Sequence, residues 1–572
     1  MKKSLFLVLT MVTLLFATCG KKGGVSGLQV PKDAAFVVHI NSSSLSSKIS
    51  WQDISQTTWF KEMARQAKDS LAQKIFADPS NSGIDTKKDF VFFMKKQNRG
   101  SYLVVEGSLT SEATYEQMLA QMSKKEPKEI KKSGEFSYMV PDEKSVVLWN
   151  KSKFALVANG TMPAGMPMGM GGLMKNRRSS ETTKFETDSL LLFGQQALSA
   201  EGGNDLGSDS RFADLVKNGS DIHMWINLEQ IYSGVNPLTE ALPIVRTEAL
   251  FKDNVTAISV NFENGKITAR TKHYYGEEMK KVAANNKPAL VTAATINRIP
   301  SSNVMAVCAF NFSPTGLRET LKVLGVDAPA DIYLSKMGFS LDEFVQANKG
   351  EVLFAVSDPV AGHGIDTSKS TDRVKLIPFS KADANILFAA SVNNPEAFQK
   401  QVDIVTNLLG GLKSKFSKGA VVEQGAPLIP GVTYKIANNW FAVSNSIQHR
   451  DQFLAGANSN IPFADKITGH PIGIYIDLQK MSNWFSSAFR VGQKDDTEPS
   501  IWQDVIAKGG DFNGTNSEFE VEINLVDKST NALKQINQEA DKAAIKRKER
   551  MSNWSNPNMM EMDSVKAPKS GN

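Results

Sequence analysis

Val255-Thr-Ala-Ile-Ser-Val-Asn-Phe262 and Lys266-Ile-Thr-Ala-Arg-Thr-Lys-His273 flank Asn264-Gly265. Asn-Gly tolerates the positive φ angles of the tight turn whose twist matches two paired strands, so this stretch predicts an antiparallel hairpin. Val146-Val-Leu-Trp149 and Phe154-Ala-Leu-Val157 predict a second hairpin across Asn150 to Lys153. Phe36-Val-Val-His-Ile40 and Phe519-Glu-Val-Glu-Ile-Asn-Leu525 alternate apolar with polar residues, the pattern of a sheet with one buried face. Strand pairs are followed by single helices, which predicts an α+β fold of antiparallel sheets with helices packed on one face.

Working outward, the chain reads as one unit written twice. Asp33-Ala-Ala-Phe-Val-Val-His-Ile-Asn41 compares with Asn303-Val-Met-Ala-Val-Cys-Ala-Phe-Asn311, each an apolar strand closed by asparagine. Val105-Glu-Gly-Ser-Leu-Thr-Ser-Glu-Ala-Thr-Tyr115 compares with Ala390-Ser-Val-Asn-Asn-Pro-Glu-Ala-Phe398. In each, a strand end leads through a cap (Ser111 or Thr110, and Asn394 before Pro395) into a helix. Phe154-Ala-Leu-Val-Ala-Asn159 compares with Trp440-Phe-Ala-Val-Ser-Asn445. Phe212-Ala-Asp214 with Gly219-Ser-Asp-Ile-His-Met-Trp-Ile-Asn-Leu228 compares with Phe463-Ala-Asp465 with Gly469-His-Pro-Ile-Gly-Ile-Tyr-Ile-Asp-Leu478. Four matched segments in one order predict two repeat halves, 28–290 and 295–545.

The N-terminus carries a secretory signature. Lys2 and Lys3 precede the uncharged apolar run Leu5 to Phe16, and small residues Ala17 and Thr18 lead into Cys19. The run is too short and wrongly flanked for a spanning helix. A cysteine at this place resembles the lipobox of bacterial lipoproteins. The resemblance implies a signal peptide over 1–18, cleavage before Cys19, acylation of that cysteine, and a tether over 19–27. Phe16 and Thr18 depart from the usual residues of that box. Gly20 stands where an aspartate would retain a lipoprotein in the inner membrane, and Lys21 and Lys22 stand where surface-exported lipoproteins carry acidic residues. The expectation is an outer-membrane anchor with the body facing the periplasm.

Of the 572 residues, 41% are hydrophobic and 22% charged, values of a globular chain with ample core. The formal charge of +6 is spread without an Arg-rich stripe, which gives no footprint for nucleic acid. The body holds one cysteine, Cys308, within Val304-Met-Ala-Val-Cys-Ala-Phe310, read as a small buried hydrophobe. Its cores, rather than disulfides, must therefore hold it in an oxidising compartment.

Motifs for catalysis are missing: no His-Glu-x-x-His, Gly-x-Ser-x-Gly, P-loop or dinucleotide fingerprint occurs. His39, His223, His273, His363, His449 and His470 show no metal-ligand spacing. His39 and His223 read as strand-face residues, with Ala309 and Gly473 as their repeat partners. Asp511 to Glu518 is dense in oxygens, but Gly514 falls at the fourth place of a calcium loop rather than the sixth, and an Asx-rich turn accounts for it. Gly160 to Arg178 holds Met162, Met166, Met168, Met170 and Met174 among glycines and prolines. Thioethers suit Cu(I), yet the spacing is irregular and no histidine or cysteine lies inside. The reading is a flexible Met/Gly-rich insertion over 160–180, of the composition of an adaptable, sticky contact loop. No cofactor is implied. Ser529 to Met551 has a helical pattern with a basic end that suits the helix dipole, and 552–572 is polar and read as a disordered tail.

With its signal, its Asp-Ala-Ala-Phe-Val-Val-His-Ile-Asn opening and its twin modules, the chain resembles a Bacteroidetes-type lipoprotein family of unknown function. The resemblance carries no catalytic residue to transfer. Two function classes follow. One is a non-enzymatic binding or scaffold lipoprotein facing the periplasm. The other is an envelope hydrolase acting on glycan or peptide through carboxylates that no motif marks. The partners implied are the membrane, through the N-terminal lipid, and an envelope protein or a glycan or peptide ligand.

Overall fold

Gly265 takes a φ of 66°, and strands Val255–Glu263 and Lys266–Tyr274 pair around it, the hairpin that Asn264-Gly265 predicts. The computed structural model describes residues 29–66, 75–97, 100–122, 129–160, 184–199, 204–232, 245–246, 248–359, 384–416, 432–489 and 500–554. Helices and antiparallel strands make it α+β. The chain divides into two compact units. One holds 1–224, 261–265 and 528–572, and the other holds 225–260 and 266–527.

The first unit contains β1 (Phe36–Ile40), β2 (Phe90–Gln97), β3 (Gly100–Ser108), β4 (Lys131–Ser133), β5 (Phe136–Asp142), β6 (Ser145–Trp149), β7 (Lys153–Asn159) and the start of β8 (Ile222–Asn227). They pair in the order β8, β1, β2, β3, β7, β6, β5, β4. Both faces of this sheet are covered. Helix Glu112–Met122, capped by Ser111 Oγ accepting from the Thr114 N–H at 3.2 Å, lays Tyr115, Met118 and Leu119 on Phe90, Val147, Trp149, Phe154 and Leu156. On the other face helix Thr187–Leu198 approaches so closely that a side chain at Gly194 would strike Leu148 and Val157. The C-terminal helix Ala532–Trp554 packs on helix Thr58–Gln66, where Trp59 Nε1 donates to Asn537 Oδ1 at 3.1 Å.

The second unit contains the end of β8, most of β9 (Val255–Glu263), β10 (Lys266–Tyr274), β11 (Val304–Asn311), β12 (Asn348–Ser357), β13 (Asn385–Val392), β14 (Thr433–Ala437), β15 (Trp440–Ser444), β16 (Ile472–Asp477), β17 (Trp502–Phe512) and β18 (Asn516–Leu525). The order is β9, β10, β18, β17, β16, β11, β12, β13, β15, β14. The run β16, β11, β12, β13, β15, β14 repeats the connectivity of β8, β1, β2, β3, β7, β6. Strand ends are turned by the expected polar residues. Asn41 accepts from the Ser44 N–H at 3.0 Å, Asp477 from the Lys480 N–H at 2.9 Å, and Asn394 from the Ala397 N–H at 3.2 Å. Each starts a helix, a contribution of about 1 kcal/mol.

The strand faces shift one sequence comparison by a residue. Phe154 packs against Tyr115 with ring centroids 5.3 Å apart, and Phe441 packs against Phe398 at 5.3 Å. Trp440, compared with Phe154 above, points to the opposite face, into a core with Phe453. Because side chains alternate along a strand, a one-residue slip exchanges the faces; Phe441 is the counterpart of Phe154.

Candidate functional site

Several residues singled out in the sequence fall outside the described residues: Cys19, His363 and the Met/Gly-rich insertion. Asp511 to Glu518 forms the end of the β17–β18 hairpin. Asn513 Oδ1 there accepts the Thr515 and Asn516 N–H groups at 2.9 and 3.0 Å, an Asx turn. Among the described residues no group of three or more His, Cys, Asp or Glu is arranged to hold a metal ion. Cys308 lies on β11 as expected, but half-buried and on the outward face. Burial pushes its thiol up, away from thiolate character.

That outward face is the first unusual surface. In the second unit, one side of β11 to β15 is the core, with Val307, Ala309, Leu353, Ala355, Leu387, Ala389 and Ala442 buried under Phe453, Ile461 and Ile467. The other side is apolar too. One row of directly opposed residues reads Ala269, Val521, Ala507, Ile474, Cys308, Phe354, Phe388, Val443, Tyr434 across nine strands. The row beside it reads Ile267, Ile523, Val505, Ile476, Ala306, Val356, Ile386. On the far side, Ile472, Phe310, Val352, Ala390, Phe441 and Ile436 follow. No charged residue interrupts these rows. Phe398 and Val402 of helix Pro395–Phe416 cover the Ala390–Phe441 edge, while Phe310, Phe354 and Phe388 remain 38%, 37% and 39% exposed. An antiparallel sheet commonly turns polar residues to water on one side, and this one does not.

The same unit holds a cavity of about 270 Å³. Leu317, Leu321, Leu334, Phe339, Phe344 and Ile404 line it, with Arg318 and Gln401 as its polar members. Phe339 comes from the turn between helices Asp327–Ser335 and Leu341–Ala347, and the others come from those two helices and from helices Pro314–Val323 and Pro395–Phe416. Arg318 is held by Asp342.

The first unit has the opposite peculiarity, a polar row inside its core. His39, Val91, Glu106 and Ala155 oppose one another across β1, β2, β3 and β7. His223 on β8 stacks on His39, ring centroids 5.2 Å apart. The corresponding row of the second unit is Gly473, Ala309, Leu353, Ala389, Ala442, apolar throughout. His39 Nε2 contacts Asp89 Oδ2 at 3.1 Å, the two Nδ1 atoms lie 2.9 Å apart, and His223 Nε2 contacts Asn218 Oδ1 at 2.9 Å. Burial, and then the neighbouring His39, hold His223 down at about 3. Glu106 is fully buried. Burial pushes its carboxyl up to about 8 against the weaker pull of Lys153, whose Nζ is 3.9 Å away. Glu106 Oε1 accepts the Gln29 N–H at 3.4 Å, while its Oε2 and Gln29 Oε1 are buried without a partner among the described residues. The strands carrying His39 and His223 were legible in sequence; their meeting across 184 positions was not.

No curated protein matches the chain. Solved structures of TP0453 are similar only faintly. Crystal form III is 7% identical, covering 48% of this chain and 90% of that one at a TM-score of 0.24, and crystal form I is 9% identical, covering 47% and 90% at 0.24. A score that low carries no argument about this chain. Over residues 29–305 the chain matches the model of an uncharacterised family, described as domain of unknown function DUF4836.

Proposed function

We propose that the chain is a lipid-anchored cell-envelope protein of the non-enzymatic binding or scaffold kind, built by duplication of one α+β unit. Cys19 anchors it in the outer membrane with its body in the periplasm, and its working surface is the outward face of β11 to β13. The observation that supports the binding role is the set of uncharged rows on that face, with three half-exposed phenylalanines on adjacent strands. Contiguous apolar surface of this kind marks interaction sites. Covering one such phenylalanine contributes about 1–2 kcal/mol. The shared strand order of the two units supports the duplication. The hydrolase reading gains nothing from the raised Glu106 carboxyl, because a side chain of 0% exposure meets no substrate.

Cys308 sits in the middle of the face, between Ile474 and Phe354, and is the body's one thiol. A photo-cross-linker attached there, activated in envelope membranes, should give a discrete adduct that Phe354→Glu with Phe388→Glu abolishes. Absence of an adduct, or one indifferent to both substitutions, would remove this face from the function. Separately, Cys19→Ala should move the chain to the soluble fraction; persistence in the membrane would overturn the anchor.

A further inference from the structure

The contacts of the buried histidine pair fix its protons. Asn218 Oδ1 accepts the Ser220 N–H at 2.9 Å, which sets the amide so that an oxygen faces His223. His223 Nε2 must then carry a hydrogen. If His223 is neutral, its Nδ1 is bare, and the 2.9 Å contact requires a hydrogen on His39 Nδ1. His39 Nε2 faces Asp89 Oδ2 at 3.1 Å, and that contact needs a third proton. Three contacts therefore hold three protons, one more than two neutral rings and a carboxylate possess. The extra proton lies in the contact between His39 Nε2 and Asp89 Oδ2, and the chain is neutral as a whole. The rings are 2% and 1% exposed. The two ends reach outward: Asn218 is exposed, and the Asp89 side chain is 10% exposed.

We propose that Asp89, His39, His223 and Asn218 form an acid-released latch, which holds β8 and the turn before it against β1 while one extra proton is shared and releases them when a second arrives. A further proton on His223 would enter at Nδ1, where it would set N–H against N–H at 2.9 Å. The turn is tied at the same corner. Asn41 N donates to Asp221 O at 2.9 Å and Asn41 Nδ2 to Ser220 O at 3.2 Å. Asp221 takes Lys48 Nζ at 2.5 Å and Ser44 Oγ at 2.6 Å. Other charged groups nearby are Glu106 on β3, Lys153 on β7 and Asp205, whose Oδ1 accepts the Val30 N–H at 3.1 Å. None of these can neutralise an imidazolium at His223: Asp221 already holds Lys48, and Glu106 keeps its proton. The depressed value of His223 supplies the direction. Above its ordinary 6.5 neither the closed nor the open form protonates it. Below 6.5 the open form alone takes the proton, and the closed fraction falls by up to tenfold per pH unit.

Hydrogen exchange of the full chain, corrected for intrinsic rates, tests this. Between pH 6.5 and 5.5 the protection of 218–224 should fall by about three- to fivefold, ahead of β2 and β3. His39→Ala with His223→Gly, the pair found at Ala309 and Gly473, should abolish that dependence. Constant protection in the native chain, or an equal fall in the variant, would overturn the latch. Should the variant fail to fold, the ring-nitrogen NMR signals of the native histidines decide at pH 7. His39 protonated on both nitrogens with His223 protonated on Nε2 supports the latch, and any other pattern refutes it.

Discussion

Glu106→Gln should stabilise the protein, and by an amount that depends on pH. The folded carboxyl titrates near 8 and the free one near 4.5. Below 4.5 both folded and unfolded chains carry the proton, and burial adds no linkage cost. As pH rises the unfolded chain ionises first, so stability is lost progressively until the folded carboxyl also ionises near 8. The loss is about 3 kcal/mol at pH 7 and about 5 kcal/mol above pH 8, at ~1.4 kcal/mol per pH unit. Glutamine keeps the shape and has nothing to ionise. It also brings N–H donors to a place where Glu106 Oε2 and Gln29 Oε1 stand buried without partners among the described residues. Urea unfolding at pH 4, 7 and 9 measures the difference between native and variant chains. The gap should be near zero at pH 4 and open to about 3 kcal/mol at pH 7. A gap independent of pH, or a variant less stable at pH 9, would refute the claim that burial rather than Lys153 governs this carboxyl.

Three further outcomes follow from the packing. Gly473→Ala should cost more than about 2 kcal/mol in thermal or urea unfolding, because the added Cβ would lie 1.9 Å from the Ile467 carbonyl oxygen. Leu353 and Phe354 are neighbours on β12 with opposite faces. Leu353→Ala should cost about 3 kcal/mol, whereas Phe354→Ser should stay within about 1 kcal/mol while losing the cross-link at Cys308. Asn41→Ala removes the cap of helix Ser42–Lys48 and its bond to Ser220 O, and should lower stability by about 1–2 kcal/mol in the same assay.

Local chemistry was the legible part of the fold. Asn264-Gly265, the asparagine before Pro395 and Ser111 each act within a few residues, so short-range rules place them. Face assignment was less accessible. Alternating strands such as Phe519 to Leu525 led to the expectation of one buried face. Val352-Leu-Phe-Ala-Val356 and Ile386-Leu-Phe-Ala-Ala390 do not alternate. Unbroken apolar runs are the signal of a strand apolar on both sides; that signal was present and points to the outward face of the second unit. The polar row of the first unit left no comparable mark. His39, Glu106 and His223 are scattered over three strands and Asp89 stands just before a fourth, and each alone looks ordinary. Only register brings them together.

The two rows also explain how one connectivity can serve two ends. In the second unit Gly473 lets the Ile467 backbone come down onto the sheet beside Ala309, its partner in the strand register. The row closes as a dry core, and its apolar surplus faces outward. In the first unit His39 and His223 occupy those places. Desolvating an imidazolium and a carboxylate costs several kcal/mol per ion unless their hydrogen bonds are complete, and here each contact of the chain is filled by one proton. Helices cover both faces of that sheet, which keeps the network dry enough for a second proton to be unfavourable. The proposed release of β8 by acid and the proposed covering of the second unit by a partner are then separable. Substitution at His39 and His223 should leave the Cys308 cross-link at neutral pH intact, and substitution at Phe354 and Phe388 should leave the pH profile of β8 exchange unchanged. Failure of either independence would show that the two units communicate.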